Sequence, residues 1–115
     1  MRVLVLEDNP ERQEVFRQLF PGCVVVSNYV EAVSALSGPR YDEVWLDFDI
    51  EFGHNGADVA FDMTRMPVEK WPGRVIVHSS NARGSLAIYM TLKRVGMTVE
   101  QRPYPPTTIW NRGPT

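Results

Sequence analysis

The sequence predicts an α/β fold: a single three-layer, doubly wound domain with helices on both faces of a five-stranded parallel sheet. Three observations lead there. Short apolar runs alternate with helix-patterned segments, the connections between them are short, and 115 residues support one core but not two. Hydrophobic residues at 43% and charged residues at 23% fit a globular chain and carry no disorder signature.

The opening run Val3-Leu4-Val5-Leu6 is apolar throughout, as a central parallel strand covered on both faces requires, and Glu7-Asp8 ends it. Asn9 offers an N-cap, Pro10 suits the first helical position, and Glu11 places negative charge at the helix start. Val15, Phe16, Leu19 and Phe20 form the expected inward face of that helix, which Pro21-Gly22 closes. Val24 to Val26 reads as the second strand. Val30, Val33 and Leu36 then fit a short helix that stops before Gly38-Pro39.

The third strand is Glu43 to Asp47, followed by a loop from Phe48 to Asn55 and a helix from Ala57 to Met66, in which Val59, Phe61 or Asp62, and Met63 mark competing faces. Pro67 and Pro72-Gly73 bracket a turn region before the fourth strand, Arg74 to His78. Ser79-Ser80-Asn81 switch into a helix from Ala82 to Val95; Gly96 stops it, and Met97 to Gln101 supplies the fifth strand. The domain is expected to span 1–103, with 104–115 an irregular proline-containing tail in place of a final helix.

A net charge of -2 provides no global basic field for nucleic acid, although a nucleotide can still be held locally. The lone Cys23 excludes an internal disulfide framework and is compatible with a reducing compartment. Met1-Arg2 leads into only four apolar residues before Glu7, which is no signal-peptide layout, and no apolar segment is long enough to cross a membrane. The expected location is cytoplasmic.

In an open parallel sheet, ligands bind outside the carboxyl ends of the strands where strand order reverses. That rule gathers Glu7, Asp8, Asp47, Asp49, His78, Ser79, Ser80, Asn81 and Arg102 on one side. Converging carboxylates from different strands are costly unless a proton, hydrogen bonds or a cation compensates them, and oxygen donors favour Mg²⁺ or Mn²⁺ over zinc. Asp8 equally suits a helix cap, and Asp49 a loop-ordering role. His78 suits phosphate contact or proton transfer, or else a buried ring bonded to a backbone carbonyl. Ser79, Ser80 and Asn81 can present donors to a phosphate or cap the next helix. Arg83 and Arg102 can neutralise phosphate charge, with Arg83 alternatively an exposed first-turn residue.

Glu7-Asp8, YDEVWLD and Gly56 resemble the response-regulator receiver domain, with Asp47 at the phosphoacceptor position, Ser79 at its hydroxyl position and Arg102-Pro103 where it has Lys-Pro. This resemblance implies the flavodoxin-like strand order 2-1-3-4-5, lacking the final helix. LEDNPERQEVF, LDFDIEFGHNGADVA and VIVHSSNARG are also similar to the receiver-like family of predicted cyclic-phosphate processing, whose pattern has LDHDL and HSxN. Asp47, Asp49, Gly56, His78, Ser79 and Asn81 match that pattern, while Phe48 replaces its middle histidine.

The resemblance implies metal-dependent binding and hydrolysis of a phosphoester such as a cyclic phosphate or nucleotide, the hydrolysis weakened or lost with Phe48 unless His54 replaces the lost histidine. Glu7, Asp8, Asp47 and Asp49 are then the metal candidates, Asp47 and His78 the catalytic ones, and Ser79, Ser80, Asn81 and Arg102 the phosphate-binding ones. The competing readings are a signalling receiver phosphorylated on Asp47 and a degenerate module binding a protein partner through Trp45, Trp71, Tyr104 or Trp110.

Overall fold

The computed structural model describes residues 1–102. Its elements are β1 (Val3–Leu6), α1 (Pro10–Leu19), β2 (Val24–Val26), α2 (Tyr29–Leu36), β3 (Glu43–Leu46), α3 (Gly56–Thr64), β4 (Arg74–Val77), α4 (Ala82–Arg94) and β5 (Val99–Gln101), with a 3-10 turn at Val68–Lys70. The strands form one parallel sheet in the order β2-β1-β3-β4-β5, as the resemblance implied, flanked by four α-helices among the described residues. The tail from 104 onward, Tyr104 and Trp110 lie outside the described residues.

Because successive side chains alternate across a strand, the apolar runs of β1, β3 and β4 feed two cores at once. Leu4, Leu6, Val44, Leu46, Val75 and Val77 face α2, α3 and α4, where Leu36, Met63, Ile88 and Leu92 meet them. Val3, Val5, Trp45 and Ile76 face the other way, against Phe16 of α1. Full burial of Phe16 contributes on the order of 2–3 kcal/mol.

Helix starts follow the expected chemistry. The Asn9 side chain accepts from the backbone of Glu11 and Arg12, and Asn28 caps α2 through Glu31. Asn55 and Asp58 form a reciprocal capping box at α3.

Several expectations need correction. Val30 is 72% exposed; the buried residues of α2 are Ala32 and Leu36, because a short helix apolar on most sides does not declare its phase. Phe16, Leu19 and Phe20 pack against the Trp45 cluster as expected, with Phe16 the fully buried anchor, whereas Val15 is half-buried and stands outside that cluster. The third helix starts at Gly56 and ends at Thr64, with Val59, Ala60 and Met63 inward and Phe61 exposed. The last strand starts at Val99, two residues late, since Met97 is taken into the core and Thr98 is exposed.

Candidate functional site

Strand register assembles the site. Leu6 pairs with Leu46, and Leu46 with Val77, so the next residues, Glu7, Asp47 and His78, form one row at the carboxyl edge. The amides of Glu7 and His78 continue the ladder by donating to the Val26 and Leu46 carbonyls at 2.9 and 3.0 Å. By alternation this row faces α1, while Asp8 and Ser79 in the following row turn the other way.

One carboxylate oxygen from each of Glu7, Asp8 and Asp47 lies within 4.8 Å of the others. Two oxygens on opposite sides of one Mg²⁺ stand about 4.2 Å apart, twice the usual bond length of about 2.1 Å. A small side-chain adjustment, or a water between one carboxylate and the ion, therefore closes the group around a cation. The donor set fits: all three groups offer hard oxygen, and the buried Glu7 Oε1 has no hydrogen-bond partner.

Burial shapes the protonation of this cluster. It raises the Glu7 carboxyl from 4.5 to about 7, against the Asn9 amide, which donates to Oε2 at 3.0 Å. Burial also pushes the Asp47 carboxyl up, opposed by the neighbouring Ser79 side chain and by the Phe48 amide, which donates to it at 2.7 Å. A cation here would replace protons as the compensation.

His78 is fully buried. Its Nε2 lies 3.2 Å from the Leu6 carbonyl, and its ring packs 4.9 Å from Phe16 and 6.4 Å from Trp45. Burial lowers it from 6.5 to about 4, so at neutral pH the imidazole is uncharged. Its Nδ1 approaches Glu7 Oε1 at 3.8 Å, and since burial drives both groups toward their neutral forms, this is a neutral contact rather than an ion pair.

The remaining site residues distribute around this centre. Ser79 is buried and its Oγ accepts from the Asn81 amide at 3.0 Å, whereas Ser80 is exposed. Asn81 caps α4 by accepting from the Gly84 amide at 2.9 Å, and its Nδ2 stands 3.5 Å from Asp49. Asp49 is exposed, bridges to Asn55, and lies outside the three-carboxylate group. Arg83 is exposed. The Arg102 guanidinium lies 5.7 Å over the Trp45 ring and 3.1 Å from Glu100. Trp45 is core, and Trp71 is half-buried with Nε1 donating to the Met66 carbonyl at 3.0 Å.

Two glycines permit this arrangement. A Cβ at Gly56 would stand 1.9 Å from the Asp47 carbonyl oxygen, so only glycine lets α3 begin directly behind the acidic residue. A Cβ at Gly84 would stand 2.1 Å from the Phe48 ring, which lies flat on the first turn of α4. His54 does not take the Phe48 position. It stacks on Tyr29 at 4.1 Å and contacts Asp58 at 3.2 Å, on the α2–α3 side of the loop, where Tyr29 also bonds Asp62.

Sequence reasoning passed over Arg12. It is half-buried, and its charge is felt at Glu7, Asp47 and His78 alike. The available signal was its position four residues before Phe16 on one helix face.

Fold and acidic strand-end cluster together define a receiver-like domain with a candidate divalent-metal centre. The chain belongs to the family described as the cyclic-phosphate processing Receiver domain, whose model matches residues 2–94. Among solved structures it is similar to a CheY-like receiver domain from Methylobacillus flagellatus, at 18% identity and a TM-score of 0.73, over 93% of this chain and 88% of that one. The phosphorylated cyanobacterial phytochrome response regulator RcpA is similar at 16% identity and a TM-score of 0.70, over 92% and 81% of the two chains. The Mn²⁺-bound form of response regulator Rcp1 is similar at 15% identity and a TM-score of 0.67, over 93% and 83%. A comparison with curated proteins finds no match. No helix among the described residues is long and apolar enough to cross a membrane.

Proposed function

We propose that this chain is a divalent-metal-dependent receiver whose Asp47 accepts a phosphoryl group. The observation that carries this reading is the convergence of Glu7, Asp8 and Asp47 within 4.8 Å, with the Ser79 side chain close enough to favour the ionised Asp47. Glu7, Asp8 and Asp47 would hold Mg²⁺ or Mn²⁺, which when bound supplies charge neutralisation for an incoming phosphate. An Asp47 carboxylate oxygen forms the new O–P bond as the donor's bond to its leaving group breaks, the leaving group keeping the electron pair. Ser79 then turns its hydroxyl to the phosphoryl oxygens, with Ser80 and the Asn81 amide as further donors. Similar folds that are Mn²⁺-bound or phosphorylated support the reading by analogy.

The family description favours a second reading, hydrolysis of a cyclic phosphate at the same centre. Against it stands His78, fully buried and neutral, and so badly placed to move a proton to a leaving group. Incubation with acetyl phosphate and Mg²⁺, followed by intact-mass measurement, should add one phosphoryl group to the wild type and none to Asp47→Asn. No addition, together with Mn²⁺-dependent turnover of 2′,3′- or 3′,5′-cyclic nucleotides, would reverse the order of the two readings.

A further inference from the structure

Resting on the phosphoacceptor reading, we propose that Arg12 of α1, rather than Arg102 beyond β5, is the cation that contacts the phosphoryl group at Asp47. The register of α1 against β3 leads to this assignment. Phe16 packs edge-on to Trp45 at 5.6 Å. From Phe16, four residues or about one turn back is Arg12, about 6 Å nearer the helix start. From Trp45, two residues forward on the same sheet face is Asp47, about 6.6 Å nearer the strand end.

Helix α1 begins just beyond the carboxyl end of β1, so these two steps run in the same direction. The Cα–Cβ bond of a helical residue also tilts toward the helix start, which carries Arg12 further toward the crevice. Its charge favours the ionised forms of both Glu7 and Asp47, as a neighbour of the cluster must.

Arg102 is engaged elsewhere. Its backbone is in the row of Asp47, yet its guanidinium folds down over Trp45 and is held by Glu100.

A phosphate-contacting arginine and a merely structural one predict different results. Removing a cation beside three carboxylates should strengthen metal binding while weakening phosphate handling. Arg12→Ala and Arg12→Gln should therefore bind Mn²⁺ at least as tightly as the wild type. At saturating Mg²⁺, both should take up phosphoryl from acetyl phosphate roughly tenfold or more slowly, the size expected for a lost charge-assisted contact. Arg12→Lys should recover part of the rate, and Arg102→Ala should stay within twofold of the wild type.

Uptake by both Arg12 variants within twofold of the wild type would overturn the assignment, as would a joint loss of Mn²⁺ affinity and uptake in Arg12→Gln. A slowed Arg102→Ala beside a normal Arg12→Ala would move the role to Arg102. A wild type that takes up no phosphoryl group defeats the phosphoacceptor reading itself and this assignment with it.

Discussion

Burial favours the neutral forms of both Glu7 and His78, so between pH 4.5 and 6.5 the folded chain carries on Glu7 the proton that the unfolded chain carries on His78. In the unfolded chain Glu7 is ionised above its ordinary 4.5 and His78 is protonated below its ordinary 6.5. In the folded chain Glu7 keeps its proton up to about 7, while His78 stays neutral down to about 4. Each displacement corresponds to about 3 kcal/mol, at about 1.4 kcal/mol per tenfold. The signs oppose. The raised Glu7 contributes stability that is complete below pH 4.5 and lost as pH rises through about 7. The depressed His78 contributes stability that is complete above pH 6.5 and lost as pH falls through about 4. Between pH 4.5 and 6.5 the two slopes cancel, and neither group gives the wild type a net pH dependence.

Glu7→Gln exposes the hidden slope. Urea denaturation in EDTA across pH 4 to 8 should show the variant gaining on the wild type as pH rises from 4.5 to 7, by up to about 3 kcal/mol. The variant's own profile should fall below pH 6.5 as His78 becomes the uncompensated group. A stability difference that stays constant with pH would refute the assignment of a buried, protonated Glu7.

Two further expectations test the packing around the site. Gly84→Ala should cost about 1–2 kcal/mol by forcing the Phe48 ring off α4, yet become neutral or stabilising in a Phe48→Ala background, where helix propensity alone remains; equal costs in both backgrounds, read by urea midpoints, would show that the ring is not the obstacle. Asn55→Ala removes one half of the capping box and should cost about 1 kcal/mol, with faster hydrogen exchange at the Asp58 amide.

The strands were legible because their boundaries are chemical. VLVL stops at Glu7 and VVV lies between Pro21-Gly22 and Asn28, so β1 and β2 appear where the side-chain types change. The acidic cluster was legible for a related reason, since the residues that follow neighbouring parallel strands share one edge of the sheet, although Asp49, further along its loop, stays outside the cluster. Helix phase was less legible, as Val30 shows: α2 is too short and too uniformly apolar for one face to win from local pattern. The depth of His78 depends on Phe16, sixty-two positions earlier, closing over its ring. Arg12 looked like any first-turn residue until α1 was registered against Trp45.

The charge ladder on β3, β4 and β5 has a mechanical consequence. Arg74 joins Glu43 and Glu100 at 2.8 Å each, and Glu100 joins Arg102 at 3.1 Å. The Arg102 amide donates to the Val77 carbonyl at 2.8 Å, so main chain and side chain are both tethered. The ladder makes the chain's exit from the sheet a fixed pivot. A tilt of β5 has to strain these contacts together, whereas the β3–α3 loop and the start of α4 meet mainly through the Phe48 ring and one long Asn81–Asp49 contact. The β5 margin is thus held by several charged contacts at once, and the loop after β3 rests on α4 through few.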